Sequence, residues 1–322
     1  MERGEVLTKA AARGSLHRPP FGRFPEVVRP NVPLGPMAYF RVGGPVRWLA
    51  EPRTDAELEW ILREAWALGI ETRVLGRGAN LLIADEGVDG LVLRLSAFDR
   101  AEFDGRGVVL GADCDLPNAV KQAADLGLSG LEPLVGIPGT VGGSTAGNAG
   151  GKYGEIERVV EWVRVRRLNG KEERLDREQI RFRYRGSSLQ AGGDRTGDDP
   201  EGGIVVEVRL RLAASDPEAV RRETARIMDE KRKTQPMSAK SAGCIFRNVE
   251  TPGGKIPAGR LVDEAGLKGR RVGAAVVSPV HANFIVNEGG ATAREVRELI
   301  EIVRGEVRAK TGHLLQLEIK TW

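Results

Sequence analysis

Apolar positions along the chain alternate between two spacings, and each switch marks an element. Leu58, Ile61, Leu62, Ala65 and Trp66 recur at helical spacing. Thr54 opens that run, with Glu57 three residues on as a capping-box partner, so a helix with this face buried is expected. Before it, "AYFRVGGPVRWLAEP" (Ala38–Pro52) reads as strand, tight turn, strand. After it, "TRVLGRGANLLIAD" (Thr72–Asp85) reads as strand, glycine turn, strand, and "DGLVLRL" as a further strand. Together these predict a small β-α-β unit.

A second segment begins near Ala101. "GVVLGAD" predicts a strand, and "LPNAVKQAADLGLSG" (Leu116–Gly130) a short helix with proline near its start and glycine near its end. "RVVEWVRVRRLNGKEERL" alternates and turns at Asn169-Gly170, a hairpin signal. "GGIVVEVRLRL" (Gly202–Leu212) is another strand, preceded by "LQAGGDRTGDDPEGG", expected to be a polar, mobile loop. A third segment begins at Ser215. "SDPEAVRRETARIMDEKRKTQP" predicts a helix capped by Ser215, with Glu218 as box partner and Pro236 beyond its end. "AGRLVDEAGLKG" is a short helix, "AAVVSPVHANFIVNEG" two strands, and "HLLQLEIKTW" a terminal strand. "TAREVRELIEIVRGEVRAKTG" (Thr292–Gly312) is a long amphipathic helix, capped by Thr292 and ended by Gly312. There is no internal repeat. The order predicts a multi-domain α+β protein rather than one doubly wound sheet.

Length and composition sharpen this. A chain of 322 residues suggests two or three domains, with 41% hydrophobic and 29% charged residues. The start, "MERGEVLTKAAARGSLHRPPFGRF", is basic and lacks an apolar h-region, so residues 1–28 are expected to be a disordered or loosely docked tail. A transit peptide is the weaker alternative, because of Glu2 and Glu5. No run approaches the ~18 apolar residues of a membrane span. Two cysteines, Cys114 and Cys244, cannot form a disulfide framework and suit a reducing, cytoplasmic setting. The formal charge of +4 is spread among interleaved acids. It suits an anionic small molecule and gives no sign of nucleic acid or of an obligate protein partner.

The 42 glycines stand out, at nearly twice the ordinary share of about 7%. "LGRGANLL" lacks the third glycine of the dinucleotide fingerprint and precedes a strand, so it fails the Rossmann context; an ordinary turn is the plainer reading. "GIPGTVGGSTAGNAGGKYG" is denser and studded with apolar residues, unlike a linker. Successive main-chain N–H groups in two such loops could clamp a pyrophosphate.

Cys244, in "KSAGCIFRN", could be a core thiol, a metal ligand, a nucleophile or a proton donor. His17, His281 and His313 are scattered and Cys114 stands alone, so no metal is expected. Flanking Lys240 and Arg247 would lower the thiol pKa from about 8.5. "RFRYRGSSL" sets Arg181, Arg183 and Arg185 on one face of a strand, either solvated or facing an anion. Glu318 lies in an apolar context, either outward on a strand or half-buried with a raised pKa.

Seven motifs, in order, carry a resemblance: "YFRVGGP", "LGRGANLLIADEGVDGLVL", "GIPGTVGGSTAGNAG", "FRYRGSSL", "KTQPMSAKSAGCIFRN", "AGRLVDEAGLKG" and "HANFIVN". From about Leu34 to Glu318 the chain resembles the UDP-N-acetylenolpyruvoylglucosamine reductases, flavoenzymes of peptidoglycan precursor synthesis. The resemblance implies a two-subdomain FAD-binding domain of the type named after p-cresol methylhydroxylase, at 38–214. Its subdomains fall at about 38–100 and 101–214, and an α/β substrate-binding domain follows at 215–322. It implies that FAD is held by Gly76, Arg77, Gly78, Ala79, Asn80 and Leu81, and by Gly136, Ile137, Pro138, Gly139, Thr140, Gly142, Gly143 and Asn148.

The implied reaction passes hydride from NADPH to flavin N5 and on to C3 of the enolpyruvyl ether, while a protein acid protonates C2. The family arginine matches Arg185 and its C-terminal glutamate Glu318; its proton donor, usually serine in "SAGS", matches Cys244. Tyr184, Lys240 and Arg247 are expected at the substrate, with Lys231 and Arg232 as further diphosphate partners by charge alone. Ala79 stands where serine is usual, and the role of His281-Ala282-Asn283 is open. Two other readings are another flavin oxidoreductase of the same fold and a non-catalytic flavin-binding module.

Overall fold

The computed structural model describes residues 20–190 and 202–322. Residues 1–19 of the expected tail and 191–201 of the expected polar loop lie outside the described residues.

The N-terminal sheet has four strands in the order Val28–Pro33, Pro45–Ala50, Val88–Leu93, Thr72–Val74. The first pair is antiparallel and the rest are parallel. Helix α1, Asp55–Ala67, connects the second strand to Thr72. Strand Val88–Leu93 shows why the run is almost wholly apolar: alternate side chains point to opposite faces, and both faces are buried. Leu91 and Leu93 enter one core and Val88 and Val92 another.

Three expectations for this region need correction. First, the tail does not extend to residue 28: Phe21, Val27 and Val28 are buried. Phe21 meets Trp48 edge-on at 5.9 Å, and its N–H donates to Glu64 of α1 at 2.7 Å. Three well-spaced apolar residues among Pro, Arg and Gly give too short a periodic signal to be read as structure. Second, Ala38–Val42 is not a strand; the ladder partner of Pro45–Ala50 lies upstream, and Phe40 is buried in the third domain's core. Third, Trp66 is 62% exposed, because the buried stripe of α1 ends at Ala65. Thr54 does cap α1 through Glu57 N–H, but Glu57 reaches back to Arg53 N–H rather than closing a box.

The middle of the chain forms a five-stranded antiparallel sheet: Glu172–Asp176, Val160–Arg167, Gly203–Arg211, Gly107–Gly111, Ala101–Phe103. Helix α2, Leu116–Asp125, capped by Asp115, packs beneath it. The two expected subdomains share one core: Leu58, Ile61 and Leu62 of α1 cluster with Val108, Val163 and Val208 of this sheet. The densest glycine stretch is not all loop. Val141–Ala146 forms helix α3, capped by Thr140. A Cβ at Gly142 would lie 2.8 Å from the Ala112 Cβ, so this glycine serves close helix–strand packing.

Helix α4, Pro217–Thr234, is capped by Asp216, whose carboxylate accepts from Glu218 and Ala219 N–H. Ser215, the expected cap, instead donates its N–H to Gly127. Pro217, pre-set for the first helical turn, moves the cap one residue on. α4 packs on α2 and on Glu132–Leu134, with the cofactor half of the molecule. We therefore propose the last domain boundary after α4, near residue 235, rather than at 215.

The last domain holds α5 (Ala258–Glu264), a three-stranded sheet (Arg271–Val272, Ala275–Val277, Ile285–Asn287) and α6 (Ala293–Thr311). α6 buries Val296, Leu299, Ile300, Val303 and Val307, starts with a Thr292–Glu295 capping box, and ends at left-handed Gly312. The terminal segment is a strand only at Lys320–Thr321, which pair in parallel with Leu81–Leu82 of the first domain.

Asp85, just beyond that pairing, caps α6 across the domain junction, accepting from Ala293 N–H at 2.8 Å and Arg294 N–H at 2.9 Å. Losing a cap costs about 1 kcal/mol. Asp85→Ala is therefore expected to speed hydrogen exchange in the peptide spanning 290–297 about five- to tenfold, leaving the far end of α6 unchanged. Unchanged exchange there would show that Thr292 alone caps the helix.

Candidate active site

A cavity of about 2380 Å³ opens between the glycine loops and the last domain. Small-molecule pockets typically run about 300–1,000 Å³, so this one has room for more than one large ligand. Gly76, Arg77, Gly78, Ala79, Asn80, Leu81, Gly136, Ile137, Pro138, Gly139, Thr140, Gly142 and Gly143 all line it, as do Arg185, Cys244, Arg247 and Glu318.

The two glycine loops touch. A Cβ on Gly76 would lie 2.7 Å from Thr140 Oγ1, and Gly78, at φ +63, would press a Cβ within 2.8 Å of the Ala38 backbone. The loops nevertheless differ as anion sites. The first three N–H groups of α3 are already bonded, to Cys114 O, Ala112 O and Thr140 Oγ1. In the other loop, the main-chain N–H groups of Arg77, Gly78 and Ala79 have no acceptor among the described residues. The Arg77 Nε is buried and also without an acceptor among them. A cluster of unmet donors on a cavity wall suits an anion such as a pyrophosphate. The residues therefore fit an FAD held chiefly by the first loop, with the second forming a wall.

Asn148 does not fit the expected cofactor role. It is fully buried, and its amide is taken up by Glu155, Arg183 O and Glu157 N–H, so it braces the loop from behind. Lys240 is exposed and off the cavity wall. Arg232 pairs with Asp229 at 3.5 Å on the outer face of α4.

Arg185 is not in line with Arg181 and Arg183. The expected strand is a tight hairpin, Phe182–Arg183 with Gly186–Ser187, and Arg185 stands at its turn with φ +57. A non-glycine residue in this region costs roughly 1–2 kcal/mol and persists where surroundings demand it. Its Nε lies 2.7 Å from Glu318 Oε1, and Nη1 donates to Gly150 O at 2.6 Å. Glu318 faces inward, its side chain 9% exposed, and accepts from the Tyr184 hydroxyl at 3.3 Å. Tyr184 thus acts from behind Glu318. Burial pushes the Glu318 carboxyl above its usual range, with Arg185 pulling it back in part.

Cys244 is half-buried on the same wall, and Ile245 O accepts from Glu318 N–H at 2.8 Å. The expected lowering of its pKa is reversed: burial, then the nearby Glu318 carboxylate, push the thiol up to about 12. Arg247 and Lys240 are both exposed, and Arg185 is the cation that opposes the shift.

Lys231 is the cation that spacing could not place. Its Nζ donates to Val135 O at 2.5 Å, beside Gly136, and burial followed by the charge of Arg185 brings its pKa down to about 8. In the sequence it is one of several charges on the helix, named as a diphosphate partner by charge alone. Asn283 was likewise unassigned; it is buried and clamps Phe246. Among the described residues, no group of three or more His, Cys, Asp or Glu side chains could hold a metal ion.

Comparisons with known proteins agree with this geometry. The family model "FAD binding domain" matches residues 46–176, and "UDP-N-acetylenolpyruvoylglucosamine reductase, C-terminal domain" matches 235–322. UDP-N-acetylenolpyruvoylglucosamine reductase 2 of Symbiobacterium thermophilum is 41% identical over 93% of this chain and 94% of its own. The reductase of Heliobacterium modesticaldum is 40% identical over 89% and 88%. The crystal structure of the reductase from Thermus caldophilus superposes with a TM-score of 0.75 at 40% identity, covering 92% of this chain and 98% of that one. With an FAD-binding fold, a matching C-terminal domain and such identity over nearly its whole length, this chain belongs to the UDP-N-acetylenolpyruvoylglucosamine reductase family.

Proposed function

We propose that the chain reduces UDP-N-acetylglucosamine enolpyruvate to UDP-N-acetylmuramate with electrons from NADPH, in the cytoplasm, as a step of peptidoglycan precursor synthesis. The observation that carries this reading is the meeting of Arg185, Glu318 and Cys244 in the cavity that the glycine loops also line. Relatives about 40% identical are named as this reductase. Two free thiols suit a reducing compartment. No helix among the described residues is long and apolar enough to cross a membrane. A non-catalytic flavin carrier would have no use for a cation held in left-handed backbone against a buried carboxylate.

Bound FAD supplies the hydride relay between nicotinamide and substrate. The chain's own residues do the rest. Arg185 offers a fixed, partly buried cation to the substrate carboxylate, where negative charge accumulates as C3 is reduced. The arriving carboxylate competes with Glu318 for that cation, and the raised pKa of Glu318 lets it take up a proton in response. Tyr184 holds the far carboxylate oxygen and fixes its rotamer. Cys244 gives its S–H proton to C2 and recovers one from solvent. A thiol pushed up to about 12 rests in the protonated form a donor needs. Lys231, held at the second glycine loop by Val135 O, offers a second cation to substrate or cofactor phosphate.

General-acid groups contribute about 10²–10⁴-fold. In stopped-flow experiments, Cys244→Ala is expected to lose about that much in substrate reduction, with flavin reduction by NADPH unchanged, while Cys244→Ser keeps activity. Normal turnover in Cys244→Ala would end the donor assignment.

The raised thiol pKa sets the alkaline side of the pH profile. A raised pKa keeps the proton on sulfur to higher pH, so kcat should not fall through about 8.5, where an ordinary thiol ionises. Profiles of the wild-type enzyme and Cys244→Ser from pH 6 to 10 check this. A wild-type limb near 8.5 that vanishes in the serine variant would contradict it.

A further inference from the structure

Arg185 meets both Glu318 and Gly150, but one of these contacts directs it. Its Nε lies 2.7 Å from Glu318 Oε1 and yet makes no hydrogen bond there. Among the described residues, the one hydrogen bond of the guanidinium runs from Nη1 to Gly150 O, at 2.6 Å. When a substrate carboxylate competes with Glu318, this bond is the hold that remains.

Gly150 is a weak anchor by itself. It begins a hairpin of two residue pairs, Gly150–Gly151 with Gly154–Glu155, and three of those four residues are glycine. So short a ladder is marginal in water, and glycine adds backbone freedom. The hairpin is therefore placed by what grips it. At its base, Asn148 Nδ2 donates to Glu155 Oε2 at 3.1 Å. At its tip, Glu230 of α4 gathers three partners. One carboxylate oxygen accepts from the Tyr153 hydroxyl and from Lys152 Nζ, the latter at 2.9 Å, and the other oxygen accepts from Arg226 Nη1. The Arg226 guanidinium also stands 5.7 Å from the centre of the Tyr153 ring. Lys152 is largely exposed, and an exposed ion pair alone adds little. The bond from half-buried Tyr153 is the firmer grip. α4 is itself fixed, since it packs on α2 and its next residue, Lys231, donates to Val135 O at 2.5 Å. The tip is thus tied to a rigid body.

We propose that Glu230 is a positioning residue for the reduction: by holding the Lys152–Tyr153 tip it fixes Gly150 O, and through Gly150 O it keeps Arg185 aimed at the substrate carboxylate. This rests on the reading of Arg185 as the group that meets that carboxylate. Glu230, Tyr153 and Lys152 also line the cavity, so an effect relayed through Arg185 has to be separated from direct contact with a ligand.

The test is calorimetric and uses oxidised, FAD-loaded enzyme without NADPH. Two ligands are titrated: UDP-N-acetylglucosamine enolpyruvate, which carries the carboxylate, and UDP-N-acetylglucosamine, which lacks it. Glu230→Ala is expected to weaken binding of the enolpyruvyl ligand about three- to tenfold, the size of a coupling relayed through neighbouring contacts. Tyr153→Phe should weaken it less, and Glu230→Gln, which can still accept from Tyr153, should recover part of the loss. None of the three should change binding of UDP-N-acetylglucosamine or the flavin spectrum. In an Arg185→Ala background, Glu230→Ala should add no further loss. Equal losses for both ligands would overturn the proposal, because Glu230 would then shape the cavity directly. Unchanged binding of the enolpyruvyl ligand in both Glu230→Ala and Tyr153→Phe, or a further loss in the Arg185→Ala background, would do the same. The reading of Arg185 fails separately: Arg185→Ala would then bind the enolpyruvyl ligand as tightly as the wild-type enzyme.

Discussion

A run of hydrogen bonds ties the first glycine loop to the segment that carries Cys244, the proposed proton donor, and the site depends on it. The loop Arg77–Asn80 leads into Leu81–Leu82, which pair with Lys320–Thr321. Lys320 N–H donates to Asn80 O at 3.0 Å, and the Asn80 amide donates to Glu318 O at 3.3 Å. Glu318 N–H then donates to Ile245 O, and Ile245 N–H to Asn283 O, both at 2.8 Å. Residues from four distant stretches of chain are thereby held in register. Catalysis that depends on geometry within fractions of an ångström needs such fixing, and loops on separate domains would not supply it.

Electrostatics follow from this placement. Arg185 and Glu318 share a partly buried ion pair, with Lys231 at the second glycine loop. Removing water makes each charge count for more and each unpaired one more expensive. The site therefore keeps its thiol protonated, raises the Glu318 carboxyl above its usual range, and presents its positive charges to anionic ligands. Arg185 is kept in strained backbone for that purpose, and its side chain is pinned by Gly150 O as well as by Glu318.

Much of the fold was legible because its signals are local. α6 declared itself through a capping box, a five-residue apolar stripe and a terminal glycine. The hairpin at Asn169-Gly170 declared itself through its turn. What the sequence hid depends on partners far along the chain. Phe21 is buried only because Trp48 and α1 are there to receive it. α4 reads as a solvated helix opening a new domain, yet its packing on α2 brings Lys231 to the cavity. The Cys244 pKa was misjudged in direction, since sequence neighbours suggested cations where space supplies burial and Glu318. Motif order singled out Arg185, Cys244 and Glu318, and the structure brings all three to the cavity. It assigned nothing to Asn283, whose partners Ile245 and Phe246 lie nearly forty positions away.

The most direct measurement is a crystal structure of the enzyme with FAD and its enolpyruvyl substrate bound. The account predicts the Cys244 sulfur within about 3.5 Å of C2, on the face opposite the isoalloxazine, with Arg185 at the substrate carboxylate. A sulfur turned into the aliphatic core, with another acid or an ordered water at C2, would contradict it.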